Sequence, residues 1–200
     1  HMHDLWVENT TDPKGLSRSP ANQWEAEIFR SADRVYCMTE SQIEYYQKKH
    51  GRKCDMMPHC VPGDTEIPQT VPVRTHAPEE EKVILLTGNI SLGMNLGAIQ
   101  EFVRAIDLLP PQYRIQFLCS CSTESCRKMR IYHDRIEYGW VSVVESQKRV
   151  READVLFLPL SFKDCFTEEV QTVFATKTLN YLVSGVPILV FSPPDSFHTM

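Results

Sequence analysis

The segment Thr176-Lys177-Thr178 places two hydroxyls and a cation where a helical pattern begins. Threonine is favoured at the N-cap, so we expect Thr176 to be the capping residue. The first helical turn exposes free amides and the positive end of the helix dipole, and both attract anions. A lysine is disfavoured in that turn unless an anion lies beside it. The segment therefore indicates a phosphate-binding turn, although an ordinary surface lysine on a helix fits the same pattern.

The rest of this helix is predicted to be amphipathic. Asn180 lies four residues after Thr176, so the two share a polar face. The opposite stripe is apolar and should face the core: Leu179, Leu182 and Val183. We therefore expect the polar face, with Asn180, to be turned towards a ligand.

Strands and helices alternate from Lys82 onward. The predicted strands are rich in Val, Leu and Ile and lie at 83–87, 115–119, 136–138, 155–159 and 187–191. This pattern predicts an α/β fold, a Rossmann-like parallel sheet with helices on both faces. Ligands bind at the carboxyl ends of the strands in such sheets. That rule adds three site candidates at strand ends, namely Gly88, Asn89 and Trp140.

The residues before Lys82 are predicted to form a smaller α/β unit and a linker. Polar, irregular sequence up to residue 22 is followed by a helix–strand–helix–strand pattern. Thr39 and Gln42 fit a capping box, and Gly51 should end that second helix. Four prolines between 61 and 81 mark a linker. We therefore predict three segments, 1–62, 63–81 and 82–200.

Composition excludes several classes of protein. The net charge of −5 and pI near 5.8 argue against a nucleic-acid-binding protein. No apolar run approaches the roughly 18 residues that a transmembrane segment needs. The seven cysteines include no CxxC pair, so we expect reduced thiols, no metal site and a cytoplasmic protein.

Residues 177–190 resemble the donor-site helix and following strand of the family 4 (group 1) retaining glycosyltransferases. The resemblance lies in Lys177-x-x-Asn-Tyr-Leu followed by Ser-Gly-Val-Pro-Ile-Leu-Val. Four other segments are similar to that family in the same order, at 32–39, 57–62, 86–89 and 153–159. The resemblance implies a GT-B fold, in which two Rossmann-like lobes face a cleft. This chain would hold the end of the acceptor lobe and most of the C-terminal donor lobe.

The resemblance also implies an activity and assigns roles to residues. The parent enzyme would move a hexosyl group from a nucleotide-sugar to a glycan, lipid or small-molecule acceptor with retention, and without a metal or another cofactor. The residues implied in donor binding are Gly88, Asn89, Trp140, Glu169, Thr176, Lys177, Thr178 and Asn180. His3 resembles a histidine that faces the cleft and is the one catalytic candidate. We expect this piece to be inactive by itself and the parent to be cytoplasmic, with peripheral membrane attachment left open.

Two departures from the family pattern leave alternatives open. Asn180 stands where the family usually has a ribose-binding glutamate, and Asn89 stands where an arginine is common. The preceding acidic residues, including Glu169, fall in what we predict to be a lengthened loop. The alternatives are a nucleotide-sugar epimerase of the GT-B fold and a non-catalytic nucleotide-sugar-binding or scaffold protein of that fold.

Overall fold

The computed structural model describes most of the chain in two long stretches. The described residues are Leu5, Val7, 18–61, Gly63, Ala77, 79–91 and 93–199. The catalytic candidate His3 lies outside them.

The N-terminal unit confirms the predicted helix–strand–helix–strand order. Its elements are α1 (Arg18–Ser31), β1 (Tyr36–Cys37), α2 (Glu40–His50) and β2 (Asp55–Met56). The two strands pair in parallel. α1 begins earlier than predicted, because Pro20 falls within its first turn, where the missing amide of a proline is not needed and its fixed φ suits a helix.

The caps of α2 largely follow the prediction. The Thr39 hydroxyl accepts a hydrogen bond from the Gln42 amide at 3.0 Å, and Gly51 ends the helix with a φ of 66°. The reciprocal half of the capping box differs, because the Gln42 side chain accepts from the Met38 amide at 2.9 Å rather than from Thr39.

The second unit is a five-stranded parallel sheet with helices on both faces, which confirms the predicted fold class. Its strands are β3 (Lys82–Thr87), β4 (Tyr113–Leu118), β5 (Ile136–Gly139), β6 (Val155–Pro159) and β7 (Ile188–Phe191). Its helices are α3 (Leu96–Ala105), α4 (Thr123–Lys128), α5 (Val143–Glu152), α6 (Thr167–Thr172) and α7 (Lys177–Ser184). The strand order is β5-β4-β3-β6-β7. The order reverses between β3 and β6, and this switch point is where such sheets bind ligands.

Successive residues of β3 contribute to two separate cores. Ile84 and Leu86 pack in one cluster with residues of α3, including Ile99. Leu85 packs in the other cluster with Val150 of α5 and Tyr181 of α7. This alternation follows from the period of two in a strand. The sheet therefore has α3 on one face and both α5 and α7 on the other.

The expectation of a loop around Glu169 is wrong, because this segment forms helix α6. α6 packs against α2 of the N-terminal unit. The Thr39 hydroxyl donates to the Thr172 carbonyl, and the Leu5 amide donates to Glu169 Oε2 at 3.0 Å. Burial against α2 and these contacts explain why the segment is helical, and α6 joins the two units.

The predicted core face of α7 is also wrong. Leu182 is 59% exposed, whereas the buried side chains of this helix are those of Thr178, Tyr181 and Ser184. The reason is Tyr181, whose large ring is completely buried against the sheet and sets the rotation of the helix.

Candidate functional site

A buried ammonium group lies at the switch point of the sheet. Lys177 begins α7 and reaches over Gly88 at the end of β3, so that a Cβ placed on Gly88 would lie 3.8 Å from Lys177 Nζ. Among the described residues, Nζ is buried and has no hydrogen-bond partner. Burial lowers the pKa of Lys177 to about 8. The ammonium is therefore still largely charged at pH 7, in a place without a counter-charge.

The ionisable side chain that interacts electrostatically with Lys177 is a thiol. Cys119, at the end of β4, interacts electrostatically with Lys177. Burial raises the pKa of the Cys119 thiol to about 11. The thiol is therefore neutral at pH 7 and does not balance the charge of the lysine.

Tyr181 ties α7 to the end of β3. Its ring is buried, and its hydroxyl oxygen accepts from the Thr87 amide at 3.0 Å. The same oxygen lies 3.1 Å from Thr87 Oγ1. These bonds hold the residue before Gly88 against the helix that carries Lys177.

The first turn of α7 is held by a histidine rather than by a capping threonine. Thr176 is the N-cap residue of α7, as predicted, but it has a helical φ of −54° and its side chain makes no capping bond. His198 Nε2 accepts instead from the Ala175 amide at 3.2 Å and from the Thr178 hydroxyl at 3.1 Å. The cause is tertiary, since the segment after β7 packs back onto this turn.

The protonation state of His198 follows from these bonds. A backbone amide can only donate, so Nε2 of His198 carries no proton and the neutral ring is protonated at Nδ1. Burial lowers the pKa of His198 to about 4. His198 is therefore neutral at pH 7 and adds no positive charge beside Lys177. The sequence around His198 gives no sign of this contact, because His198 and Thr178 lie 20 positions apart in the chain.

A cavity of about 340 Å³ lies beside Lys177, between α5 and α7 and above the ends of three strands. The structure brings four predicted site residues together on its wall: Gly88, Asn89, Trp140 and Asn180. The apolar part of the wall includes Val141, Val143, Val150 and Val183. Trp140 is 74% exposed at the rim. The cavity thus combines an apolar surface with a few polar groups, as small-molecule sites do.

The other predicted residues lie elsewhere. Lys177, Thr176 and Thr178 adjoin the cavity at the start of α7 but do not line it. Glu169 is 1% exposed within α6, where it accepts from the Leu5 amide. It therefore faces the N-terminal unit rather than the cavity.

Two further properties concern metals and membranes. In the described ranges, no group of three or more His, Cys, Asp or Glu side chains is arranged to hold a metal ion. None of the described helices is both long enough and apolar enough to cross a membrane.

Comparisons with known proteins identify the fold. No protein-family model matches the chain, and no curated protein matches its sequence. The structure is similar to sucrose-phosphate synthase from Thermosynechococcus elongatus, with a TM-score of 0.64 and 14% identity over 94% of this chain and 48% of that chain. The fold is that of a Rossmann-like lobe of GT-B proteins. At this identity, the likeness concerns the fold alone.

A second solved structure is less similar. It is described as a UDP-N-acetylglucosamine 2-epimerase from Listeria monocytogenes and has a TM-score of 0.42, with 19% identity over 94% of this chain and 48% of that chain. The chain spans about half the length of both structures.

Proposed function

We propose that this chain is the nucleotide-sugar-binding part of a retaining glycosyltransferase of family 4. The observation that carries the proposal is the buried Lys177 ammonium, which lacks a partner among the described residues at the switch point of a GT-B sheet. Burying an unpaired charge is costly. A nucleoside diphosphate bound at the Gly88-Asn89 loop would supply the missing negative charge.

The chemistry follows from the charge of the leaving group. Transfer of a sugar releases a nucleoside diphosphate, whose negative charge grows as the bond to the sugar breaks. A lysine ammonium and helix N-terminal amides held in advance at that position stabilise the developing charge. Rotation about the flexible lysine stem would bring Nζ from its place beside Gly88 to the phosphates. This function needs no metal ion, and the sugar would pass to a glycan, lipid or small-molecule acceptor.

The cavity accounts for the nucleoside. Asn180 follows Lys177 by three residues, which is about 4.5 Å along a helix and places it on a neighbouring face. A ribose attached to the bound phosphates would therefore lie over Asn180. The base would reach the apolar wall between Trp140 and Val183, where the indole ring can stack on it.

Calorimetric titration with UDP, GDP, ADP and their sugars tests this proposal. At least one nucleotide should bind saturably at pH 7. Lys177→Met should weaken that binding about 10-fold or more, because hydrogen bonds to charged groups contribute roughly 1.5–3 kcal/mol. Lys128→Met is the matched control, since Lys128 is an exposed lysine of α4 that pairs with Glu124. Equal effects of the two substitutions would contradict the placement of the phosphates.

A non-catalytic protein of the same fold is the second candidate. This candidate is favoured by Asn180 and Asn89, which stand where the family usually has a glutamate and an arginine. Because Asn89 is neutral, Lys177 is the cation at the expected phosphate position among the described residues. A protein of this kind would bind none of the nucleotides in the titration. Saturable binding that depends on Lys177 would exclude a scaffold without a ligand.

A further inference from the structure

The cavity wall contains no carboxylate among the described residues. Its one ionised side chain is that of Arg151, and its other polar groups are neutral. The neighbouring acids of α5 are engaged on the helix surface, where Glu145 pairs with Arg149 and Glu152 with Lys148. A nucleoside in this cavity would therefore meet amides and hydroxyls rather than an anionic acceptor.

The missing carboxylate matters for the sugar of the nucleotide. Dinucleotide-binding sheets that bind NAD hold the 2′-hydroxyl of its ribose with an aspartate or glutamate. Such a site rejects the deoxy analogue, because the charged acceptor is left without its partner. Asn180 is neutral and exposed, so water satisfies its amide when the hydroxyl is absent. Binding a deoxyribose in place of a ribose then leaves no buried polar group unsatisfied at this position.

The remaining hydroxyl and amide groups of the wall do not replace the carboxylate. The Ser184 hydroxyl is used within α7, since it donates to the Tyr181 carbonyl at 2.6 Å and accepts from the Val186 amide at 3.2 Å. Ser146 and Gln147 lie on the opposite wall, on α5. Both are neutral, so a contact with either would discriminate only weakly between the two sugars.

We propose that this cavity binds 2′-deoxyribonucleoside diphosphates as readily as ribonucleoside diphosphates, so that its donors include deoxyribonucleotide-sugars. This inference rests on the proposed function, because it places the diphosphate at Lys177 and the sugar of the nucleotide at Asn180. It goes beyond that function by naming the class of nucleotide that the site admits.

Matched pairs of nucleotides test the proposal by calorimetry at pH 7. UDP is compared with dUDP, GDP with dGDP and ADP with dADP, so that each pair differs only in the 2′-hydroxyl. For the base that binds, we expect dissociation constants within about threefold of each other, as for one neutral hydrogen bond. A deoxynucleotide that binds tenfold or more weakly would overturn the inference and leave the proposed function intact. Absence of binding by every nucleotide would overturn both.

A substitution at Asn180 provides the second arm. Asn180→Glu puts a carboxylate beside the expected 2′-hydroxyl, and we expect it to raise the preference for the ribonucleotide to about tenfold or more. Gln23→Glu is the control, because it adds the same charge to an exposed position of α1 that does not line the cavity, and it should leave the ratio unchanged. If Asn180→Glu weakens both members of a pair equally, the sugar does not lie at Asn180 and the inference fails.

Discussion

Replacing Lys177 by methionine should stabilise the ligand-free chain at neutral pH while it removes the proposed phosphate ligand. Methionine keeps most of the aliphatic stem and its packing but removes the buried charge. The free chain holds the ammonium beside Gly88 without a hydrogen-bond partner among the described residues. The desolvation cost of that charge therefore falls on the folded state alone.

The size of the effect follows from the pKa of Lys177. Burial lowers this pKa from 10.5 to about 8, and a difference of one pH unit corresponds to about 1.4 kcal/mol. The ammonium thus destabilises the folded chain by roughly 3 kcal/mol at pH 7. Lys177→Met should raise the free energy of unfolding by up to that amount.

The effect has a definite pH dependence. Below pH 8 the lysine is protonated in the folded and the unfolded chain, so the full cost is present. Between pH 8 and 10.5 the unfolded chain retains the proton and the folded chain does not. The free energy of unfolding of the wild type therefore rises with pH across this window relative to the variant. The advantage of Lys177→Met should decline by about 2 kcal/mol from pH 8 to 9.5.

Urea unfolding of both proteins at pH 7, 8, 9 and 9.5 measures this difference. Contributions from other titrating groups cancel when the variant is compared with the wild type at each pH. The reasoning would be refuted by a variant that is less stable at every pH, or by a difference that does not change with pH.

Three further predictions, with four substitutions, concern how the site is held. Gly88→Ala should lower the free energy of unfolding by about 1–2 kcal/mol, because the φ of Gly88 is 91°. Gly97→Ala in α3 should raise it by about 0.5–1 kcal/mol, because a Cβ at that position meets nothing within 4 Å. Urea unfolding measures both changes, and changes of the same sign would contradict the argument. Tyr181→Phe should cost about 1–3 kcal/mol in unfolding free energy, since it leaves the buried Thr87 amide without an acceptor; a neutral result would mean that this bond does not hold β3 to α7. Burial lowers the pKa of His198 from 6.5 to about 4, so the wild type should lose stability as the pH falls through this window. The melting temperature of His198→Asn should therefore fall less between pH 6.5 and 4.5 than that of the wild type. Equal decreases in the two melting temperatures would exclude a buried neutral histidine.

Much of the fold could be predicted because its signals are local or periodic. Near-continuous apolar strands such as 155–159 alternate with helices, and a parallel sheet buried on both faces is what that pattern requires. Gly51 ends α2 in the left-handed conformation, as predicted, and glycine adopts this conformation without a steric cost. These features depend on neighbouring residues, so no distant contact was needed to predict them.

Part of the candidate site could be predicted by the same reasoning. Carboxyl ends of parallel strands meet at one edge of the sheet, and this rule brought Gly88, Asn89 and Trp140 to a common cavity. Asn180 lies on the same cavity wall because its side chain is on the exposed side of α7. Connectivity and periodicity therefore sufficed to collect the residues of the cavity wall.

Contacts between distant residues decided the rest. The bond between Thr87 and Tyr181 joins residues 94 positions apart and sets the rotation of α7, so the apolar stripe predicted from spacing was turned away from the core. The Leu5 amide reaches Glu169 across 164 positions and engages it in α6. The sequence by itself determined the order of strands and helices, apart from α6, and which residues end at the ligand edge of the sheet. Only the tertiary structure decided that the Lys177 ammonium is buried without a hydrogen-bond partner among the described residues, because desolvation depends on everything packed around Nζ and not on the residues beside it in the chain.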